Sequence, residues 1–202
     1  MIVLASGSAS RRAMLTDAGV AFEVIRPQVD EDAVKASLKA EGIEARGLAD
    51  ALAELKAISV SRRQPGRIVI GSDSIVALGA HESAGGAMLD KPDSRDRAAE
   101  QLRMMRGGTH RLVSAVVAAR DGVPVWRHVD TAKLHVRAFS DAFVATYLDA
   151  EWPAIAGCVG CFRIEGPGVQ LFSQVEGSQF TILGMPLLPL LGWLRDVGEM
   201  PA

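Results

Sequence analysis

The feature that most constrains the fold is the opening of the chain, where a short apolar stretch runs into a turn of small residues and then into a helix. The apolar stretch is Ile2–Ala5, the turn is Ser6-Gly7-Ser8, and the helix begins near Arg11-Arg12. Backbone N–H groups in such a turn, with the positive end of a helix dipole, stabilise an anion. The hydroxyls of Ser6 and Ser8 add donors, and Arg11 adds a planar fork suited to phosphate oxygens. The opening therefore predicts a strand–turn–helix unit that can hold a polyphosphate, although a serine here is also an ordinary helix N-cap.

Length and composition limit the classes to which this chain can belong. It has 202 residues, 49% of them hydrophobic, enough for one compact domain or two small lobes around one cleft. The net charge of −2 and the isoelectric point near 6.1 argue against a nucleic-acid binder with a broad basic face. No apolar run reaches the roughly 18 residues of a membrane span, and the opening lacks the basic region of a secretory signal. We therefore expect one domain over residues 1–202, located in the cytoplasm, with neither a nucleic acid nor a membrane as partner.

Cys158 and Cys161 form a Cys-x-x-Cys motif, which can indicate a zinc site or a redox dithiol. A zinc site needs two further ligands, and the four histidines show no suitable spacing. A thioredoxin-like dithiol begins a helix, whereas Gly157 and Gly160 alternate with these cysteines and a strand pattern follows them. The interpretation favoured is that both cysteines are small buried residues.

Hydrophobic periodicity and turn signals predict a mixture of helices and strands. Predicted helices run from the opening to residue 19 and over 33–40, 48–63, 95–105 and 141–150, with an apolar helix after Pro186. Predicted strands cover 2–5, 22–25, 67–70, 75–78, 112–119, 123–136, 162–164 and 169–175. Asp121-Gly122 predicts a hairpin, and residues 81–87 predict a loop of small residues. These elements predict an α/β fold with an elongated, curved mixed β-sheet and helices packed on it.

Asp73 is the single residue that most strongly indicates a functional site, because it lies between two runs of isoleucine and valine. A buried carboxylate is unfavourable unless it is paired or coordinates a metal, so this position predicts a nearby cation. The alternative is an aspartate that accepts hydrogen bonds from loop amides between two separate strands. Asp30-Glu31-Asp32 could reach the same cation, or could cap the following helix. Lys56 and Lys91 are further cations. Neither indicates a function by itself, and their significance depends on the wider pattern of residues described next.

Nine short sequence motifs, none of them specific by itself, together form a recognisable pattern. They are Leu4-Ala5-Ser6-x-Ser8-x-x-Arg11-Arg12, Asp30-Glu31, Leu52-Ala53-x-x-Lys56-Ala57, Ile70-Gly71-x-Asp73, Lys91-Pro92, Gly107-x-x-His110, Ala156-Gly157, Glu165-Gly166-x-Gly168 and Leu183-Gly184-x-Pro186-Leu187. In this order and register the chain resembles the Maf (septum formation) family of nucleoside triphosphate pyrophosphatases, over residues 2 to about 195. The resemblance implies an α/β fold similar to the inosine triphosphatase type, with a central cleft.

The resemblance further implies hydrolysis of a nucleoside triphosphate to the monophosphate and pyrophosphate. The residues that would hold or neutralise the phosphates are Ser6, Ser8, Arg11, Lys56 and Lys91. A charge argument agrees, since a triphosphate with roughly four negative charges repels attacking water unless cations screen its oxygens.

The resemblance also assigns the acidic residues. Asp73 would accept a proton or position the water, and Glu31 with Asp73 would carry a divalent cation, Mg²⁺ or Mn²⁺. This agrees with the cation that the position of Asp73 predicts.

Three positions are associated with the choice of base in the family, and they correspond to Ser10, Ser74 and Glu165. Glu165 stands where members that prefer dTTP and UTP have glutamine, and a carboxylate accepts hydrogen bonds from guanine N1–H and amine groups better than an amide does. The spacing from Ser8 to Arg12 resembles the members that prefer 7-methyl-GTP. Those members differ in having tryptophan in place of Ser10, threonine in place of Ser74 and proline in place of Ala9. The resemblance favours a modified purine such as 7-methyl-GTP.

Three alternatives remain open from the sequence. They are a dTTP/UTP pyrophosphatase, an inosine triphosphatase-like enzyme that selects a deaminated purine, and a nucleotide-binding regulator of cell division without turnover. A pure binding module has no need of Asp73, which argues against the last. The resemblance also suggests a homodimer, and we expect the apolar stretch Leu187 to Trp193 to belong to the core rather than to an interface.

Overall fold

The computed structural model describes residues 1–79 and 87–201. The strands are β1 (Ile2–Ala5), β2 (Phe22–Val24), β3 (Val69–Ala77), β4 (Met88–Leu89), β5 (Thr109–Arg120), β6 (Val123–Val136) and β7 (Phe172–Glu176). The helices are α1 (Ala9–Asp17), α2 (Glu31–Ala40), α3 (Ala45–Ser61), α4 (Arg95–Met105), α5 (Asp141–Glu151), α6 (Gln179–Ile182) and α7 (Leu187–Asp196), with a 3-10 helix at Pro167–Leu171. The loop predicted at 81–87 lies, except for Ala87, outside the described residues.

The strands form a mixed sheet, which confirms the predicted fold class. The order is β2-β1-β3-β5-β6-β7, and β4 pairs with β3. β1 runs parallel to both β2 and β3, whereas β4 is antiparallel to β3 and β7 is antiparallel to β6. The hairpin between β5 and β6 turns at Asp121 and Gly122, which have φ angles of 53° and 78°. Positive φ at both positions is what a type I′ turn requires, so the Asp-Gly signal was correct.

The chain divides into two compact units. The first unit comprises Met1–Ser74, Val113–Asp130 and the chain from Ser178 onward. The second unit comprises the described residues of Ile75–Leu112 and Thr131–Gly177. Within the described residues, no helix combines the length and apolar character that crossing a bilayer requires.

The core of the first unit follows from the period of β1. Side chains alternate along a strand, so Ile2 and Leu4 face one side and Val3 faces the other. Ile2 and Leu4 pack in a cluster that includes Leu15 of α1 and Leu190 of α7. Val3 belongs to a second cluster on the opposite face. The apolar opening is therefore a central strand covered on both faces.

The C-terminal helix α7 is a core element, as the sequence predicted. Leu187, Leu190, Leu191 and Leu194 are buried in the cluster that contains β1. Leu188 points away from that stripe and is 63% exposed.

Two strand predictions were wrong. Residues 71–74 do not interrupt a strand, because β3 runs without a break from Val69 to Ala77. Backbone pairing of Gly71 with Ala5 of β1 carries the strand through a stretch that looks like a turn in the sequence. Asp73 therefore lies inside a strand rather than between two strands.

Residues 162–164 form no strand. A Cβ on Gly168 would lie 2.5 Å from the Arg163 carbonyl oxygen. The chain therefore folds back on itself here so closely that only glycine fits. The predicted strand over 169–175 begins only at Phe172, since a 3-10 helix takes up the residues before it.

Candidate active site

Glycine at position 71 allows α3 to lie directly on β3. A Cβ there would lie 2.2 Å from the carbonyl oxygen of Ala53 and 2.6 Å from the nitrogen of Ala57, both in α3. Those distances leave no room for any side chain. Lys56 lies between these two contact residues, so the close packing brings its side chain against the strand that carries Asp73.

Lys56 joins two carboxylates. Its Nζ lies 2.6 Å from Asp73 Oδ1 and 2.8 Å from Glu31 Oε2. Lys56 is only 5% exposed and Asp73 only 8%. Buried charges need partners of opposite sign, which each of these groups has. We call Glu31, Lys56 and Asp73 the acid–lysine cluster; it unites three residues that the sequence singled out.

The acid–lysine cluster fits a divalent cation. Asp73 Oδ2 and Glu31 Oε1 have no hydrogen-bond partner within the described residues. The part of the chain that the structure describes contains no group of three or more metal-ligating side chains. Mg²⁺ is commonly bound through one or two carboxylates together with substrate phosphates. Two carboxylates, each with an oxygen that has no partner within the described residues, are therefore enough protein ligands for such an ion.

Within the acidic run 30–32, Asp30 and Glu31 have different partners. Asp30 is the N-cap of α2, because its Oδ1 accepts a hydrogen bond from the Ala33 N–H at 3.0 Å. Glu31, the next residue, reaches Lys56. Asp30 is therefore the cap that one alternative described, and Glu31 contacts the same ammonium as Asp73.

The turn after β1 has the geometry of a helix N-terminus. Ser8 is the N-cap of α1, and its Oγ accepts from the Arg11 N–H at 3.4 Å. Ser6 Oγ accepts from the Ser8 N–H at 3.1 Å. Ala9 and Ser10 are the first residues of α1, whose N–H groups have no acceptor inside the helix.

The hydroxyl protons of this turn are not equally available. Ser10 Oγ donates to the Leu183 carbonyl at 3.1 Å and lies 3.0 Å from Ser8 Oγ. A hydroxyl has one proton, so Ser8 is the donor in the Ser8–Ser10 bond. The hydroxyl proton of Ser6 has no acceptor within the described residues. Of these three serines, Ser6 is therefore the one that can donate a hydrogen bond to a ligand without breaking an internal bond.

Arg11 is held at two points of its guanidinium. Its Nε donates to the Gly184 carbonyl at 2.8 Å, and its Nη2 donates to Ser74 Oγ at 3.1 Å. Desolvation lowers the pKa of Arg11, and the charges of Asp73 and Glu31 act in the opposite direction. The side chain remains a cation, because a delocalised guanidinium keeps its proton in proteins. Its Nη1 has no partner within the described residues and stays available.

Lys91 and Glu165, the other two residues of the predicted site, belong to the second unit. Both are exposed, and neither side chain has a hydrogen bond or ion pair within the described residues. Their chemistry as a free ammonium and a free carboxylate is compatible with the roles that the resemblance implies.

The Cys-x-x-Cys motif of the second unit is not a disulfide; Cys158 and Cys161 are free thiols, the latter buried. Burial raises the pKa of both thiols, that of Cys161 to about 12. Cys161 Sγ lies 3.1 Å from Gln101 Oε1, to which it donates. The buried thiol is therefore the protonated, unreactive form.

Arg26 is a cation that sequence reasoning missed. A Cβ on Gly7 would meet Arg26 Nε at 3.6 Å, so the guanidinium lies against the turn after β1. Arg26 is exposed and makes no hydrogen bond or ion pair within the described residues. Arg26 lies two residues after β2, and nothing in the sequence around it indicated a functional role.

Sequence reasoning also missed three buried hydroxyls near Arg11. Ser72, Ser114 and Thr181 are each 0% exposed. Their only sequence signal is a polar residue within an apolar run, which is weaker than a charged one.

The comparison with family models decides the relationship of this chain. The model described as Maf-like protein matches residues 1–197. This chain belongs to the Maf family. The match extends through both units, as the nine sequence motifs predicted.

Relatives in the Maf family share about half of their residues with this chain. A protein of Sphingopyxis alaskensis named nucleoside triphosphate pyrophosphatase is 52% identical over 99% of this chain and 98% of its own length. A protein of Caulobacter vibrioides with the same name is 50% identical over 98% of this chain and 96% of its own length.

Similarity to solved structures is more distant. A HAM1 protein from Coxiella burnetii is 18% identical, with a TM-score of 0.42 over 68% of this chain and 73% of that one. A likeness at this level carries no argument about the site.

Proposed function

We propose that this chain hydrolyses a nucleoside triphosphate to the nucleoside monophosphate and pyrophosphate. The observation that carries the proposal is the acid–lysine cluster, in which the buried Lys56 and Asp73 meet the partly exposed Glu31, and each carboxylate keeps one oxygen without a partner among the described residues. Two relatives at about 50% identity are named for this activity. A buried carboxylate with a purely structural role would be expected to use both of its oxygens, which Asp73 does not do within the described residues.

The cations of the first unit would hold the triphosphate. Arg11 offers the N–H groups of Nη1, and the start of α1 offers backbone N–H groups and the positive end of the helix dipole. Ser6 adds a hydroxyl proton, and Lys56 adds an ammonium with three donors, two of them directed at carboxylates. Arg26 adds an exposed guanidinium beside the same turn. By the resemblance, Lys91 completes this set.

Asp73 is the proposed proton acceptor. Its Oδ1 is fixed by Lys56, which orients the carboxylate within the strand. Its Oδ2 is then the atom that can take a proton from water. Glu31 holds Lys56 from the other side and prevents the ammonium from turning away from Asp73.

Glu31, through the oxygen that Lys56 does not engage, and the carboxylate of Asp73 would hold Mg²⁺ or Mn²⁺. Such an ion, when bound, screens phosphate oxygens and lowers the pKa of water. Removal of any one cation that stabilises the leaving pyrophosphate should raise the barrier by about 2 to 4 kcal/mol, comparable with the loss of one oxyanion donor.

The base of the proposed substrate is a modified purine, with 7-methyl-GTP as the leading candidate. Support comes from Glu165, an exposed carboxylate that can accept hydrogen bonds from the guanine N1–H and amine. Ser10 and Ser74 take part in internal hydrogen bonds, so any influence on the base would pass through the groups that they bind.

A panel of nucleoside triphosphates tests the reaction and the base together. The protein would be incubated with 7-methyl-GTP, GTP, ITP, dTTP and UTP with Mg²⁺ or Mn²⁺, and monophosphate and pyrophosphate would be measured. We expect both products in equal amounts, fastest from 7-methyl-GTP, and none after chelation of divalent ions. Release of orthophosphate and a diphosphate would reject the reaction, and binding without turnover would favour the regulator alternative.

A Glu165→Gln variant tests the base separately. Because an amide offers the guanine edge one acceptor in place of a carboxylate, we expect kcat/KM for 7-methyl-GTP to fall about tenfold or more relative to that for dTTP. An unchanged ratio would remove Glu165 from base selection. Fastest turnover of dTTP or UTP, or of ITP, would establish the corresponding alternative.

The resemblance also supports a homodimer as part of the proposal. Sedimentation velocity at micromolar concentration tests it, and a single species at the 21.4 kDa mass of one chain would reject it.

A further inference from the structure

Two hydroxyls connect the guanidinium of Arg11 to the interior of the first unit. Arg11 Nη2 lies 3.1 Å from Ser74 Oγ, and Ser74 Oγ lies 2.8 Å from Ser114 Oγ. Ser114 Oγ donates to the Thr181 carbonyl at 2.8 Å. We call Ser74, Ser114 and Thr181 the hydroxyl relay; the proposed reaction uses no atom of Ser114 or Thr181.

The direction of every bond in the hydroxyl relay is fixed. Ser114 has one hydroxyl proton, and the Thr181 carbonyl can only accept, so Ser114 must accept from Ser74. Ser74 then has no proton to offer Arg11 and presents a lone pair to the guanidinium, which can only donate. The order is therefore Arg11 to Ser74 to Ser114 to Thr181, and the Gly184 carbonyl, 3.3 Å from Ser74 Oγ, is a longer second acceptor for the Ser74 proton.

Thr181 is itself anchored. Its Oγ1 donates to Asp130 Oδ2 at 2.5 Å, and both Ser114 and Thr181 are 0% exposed. The relay therefore ends on a segment that is held by a carboxylate of β6. Buried hydroxyls with every bond made form a rigid support.

The same segment provides the second hold on Arg11. Gly184, three residues after Thr181, accepts from Arg11 Nε at 2.8 Å. Gly184 has a φ of +105°, and a Cβ there would lie 3.4 Å from Arg11 Nη2. The guanidinium thus lies against a glycine whose backbone conformation other residues rarely adopt.

Loss of the Ser114 hydroxyl would disturb both holds at once. The next acceptor for the Ser74 proton is the Gly184 carbonyl, 3.3 Å away. That oxygen already accepts from Arg11, and Ser72 Oγ lies 2.9 Å from it. Ser74 would then compete with Arg11 for one carbonyl, and the guanidinium would lose its fixed orientation.

We propose that Ser114 and Thr181 are positioning residues that set the orientation of Arg11 for binding the triphosphate. The inference rests on the proposed function, in which Arg11 holds phosphate oxygens. A planar guanidinium binds phosphate through paired N–H groups, so its affinity depends on its orientation as well as its charge. Ser114 and Thr181 touch no substrate; they act through Arg11.

A double-mutant cycle tests whether Ser114 acts through Arg11. Ser114→Ala, Arg11→Ala and the double variant would be compared for kcat/KM with the best triphosphate of the panel. We expect Ser114→Ala to lower kcat/KM about tenfold in the wild-type background and less than about twofold in the Arg11→Ala background. An equal loss in both backgrounds, or no loss in either, would overturn the proposal.

Ser61 provides the matched control. It is also 0% exposed, and its Oγ accepts from the Gly122 N–H at 3.0 Å in the same unit. Ser61→Ala should lower stability in urea unfolding about as much as Ser114→Ala does, with kcat/KM unchanged. For Thr181, the Ser variant keeps the hydroxyl and should retain activity, whereas Thr181→Val should lose it; equal losses would remove Thr181 from the proposal.

Binding of inorganic tripolyphosphate separates this inference from the proposed function. By titration calorimetry, Ser114→Ala should weaken binding several-fold in the wild-type background and leave that of Arg11→Ala unchanged. This result stands even if no triphosphate in the panel is hydrolysed. Equal binding by wild-type protein and Ser114→Ala would overturn the positioning role, whatever the panel shows.

Discussion

Two sets of charges that include a buried carboxylate, Glu151 in one and Asp73 in the other, use similar residues in different ways. In the second unit, Glu151 is 3% exposed and both of its oxygens bind one guanidinium, that of Arg163, at 2.9 and 3.0 Å. In the first unit, Asp73 and Glu31 share one ammonium and each keeps one oxygen free. In the Glu151–Arg163 pair, both carboxylate oxygens are engaged by the same guanidinium. In the acid–lysine cluster, two carboxylate oxygens have no partner within the described residues.

The difference separates a pair that fixes the chain from a cluster that can do chemistry. A planar guanidinium satisfies a carboxylate with two parallel bonds, whereas an ammonium is a point charge that binds one oxygen of each partner. The choice of lysine at position 56 is therefore what leaves acceptor oxygens for a proton or a metal ion. Five experiments test this difference.

Asp73→Asn should have the largest effect. The change keeps the shape of the side chain and removes the proton acceptor, so turnover of the best triphosphate should fall about 10³-fold. Urea unfolding should show a folded protein of nearly wild-type cooperativity. Turnover within a factor of three of wild type would remove Asp73 from the reaction and place the acid–lysine cluster with the structural pairs.

Gly71→Ala tests the packing that brings Lys56 to Asp73. The added methyl group meets the backbone of α3, so the free energy of unfolding should fall by about 3 kcal/mol, with loss of activity. Gly192→Ala is the control, since nothing lies within 4 Å of a Cβ at that helical position. The control should be neutral or more stable by up to about 1 kcal/mol. Equal stability of the two variants would contradict the close packing.

Glu151→Gln should affect stability and leave the chemistry intact. An amide cannot satisfy both N–H groups of Arg163, so the free energy of unfolding should fall by about 2 kcal/mol. The value of kcat/KM should stay within twofold of wild type. A loss of turnover at full stability would show that the closed pair is not merely structural.

Arg26→Ala tests the exposed guanidinium beside Gly7. One exposed charge-assisted bond to phosphate corresponds to about 1 kcal/mol, so KM should rise roughly fivefold with kcat unchanged. Arg195→Ala, an exposed arginine in the last turn of α7, should leave both constants unchanged. A similar rise in KM for both variants would indicate a general effect of charge.

The two free thiols should give the smallest effect. Because burial raises the pKa of Cys161 to about 12, this thiol is protonated at neutral pH and becomes a thiolate only as the pH approaches that value. Alkylation by iodoacetamide at pH 8 should therefore be at least about tenfold slower than for a free thiol and should accelerate as the pH rises. Fast alkylation at neutral pH with loss of turnover would reopen the redox interpretation.

The sequence predicted the regular parts of the fold well where the signal is local. The Asp121-Gly122 hairpin and helix α4 at Arg95–Met105 came out as expected. The errors arose where long-range contacts override local pattern. Gly71 and Ser72 look like a turn, yet strand pairing with β1 and the packing of α3 hold them in β3. Local propensity contains no information about either contact.

For the candidate site, the amino-acid sequence alone shows which chemical groups are present. A charge inside an apolar run is costly enough to stand out, so Asp73 could be named from its position alone, whereas Lys56 was named through the family pattern. Only the tertiary structure decided which of those groups remain free. The proton of Ser10 is used by Leu183, 173 residues away, and Arg11 is oriented by a relay that ends at Thr181. Hydrogen bonds saturate, so the availability of each donor depends on which distant acceptor the fold brings to it.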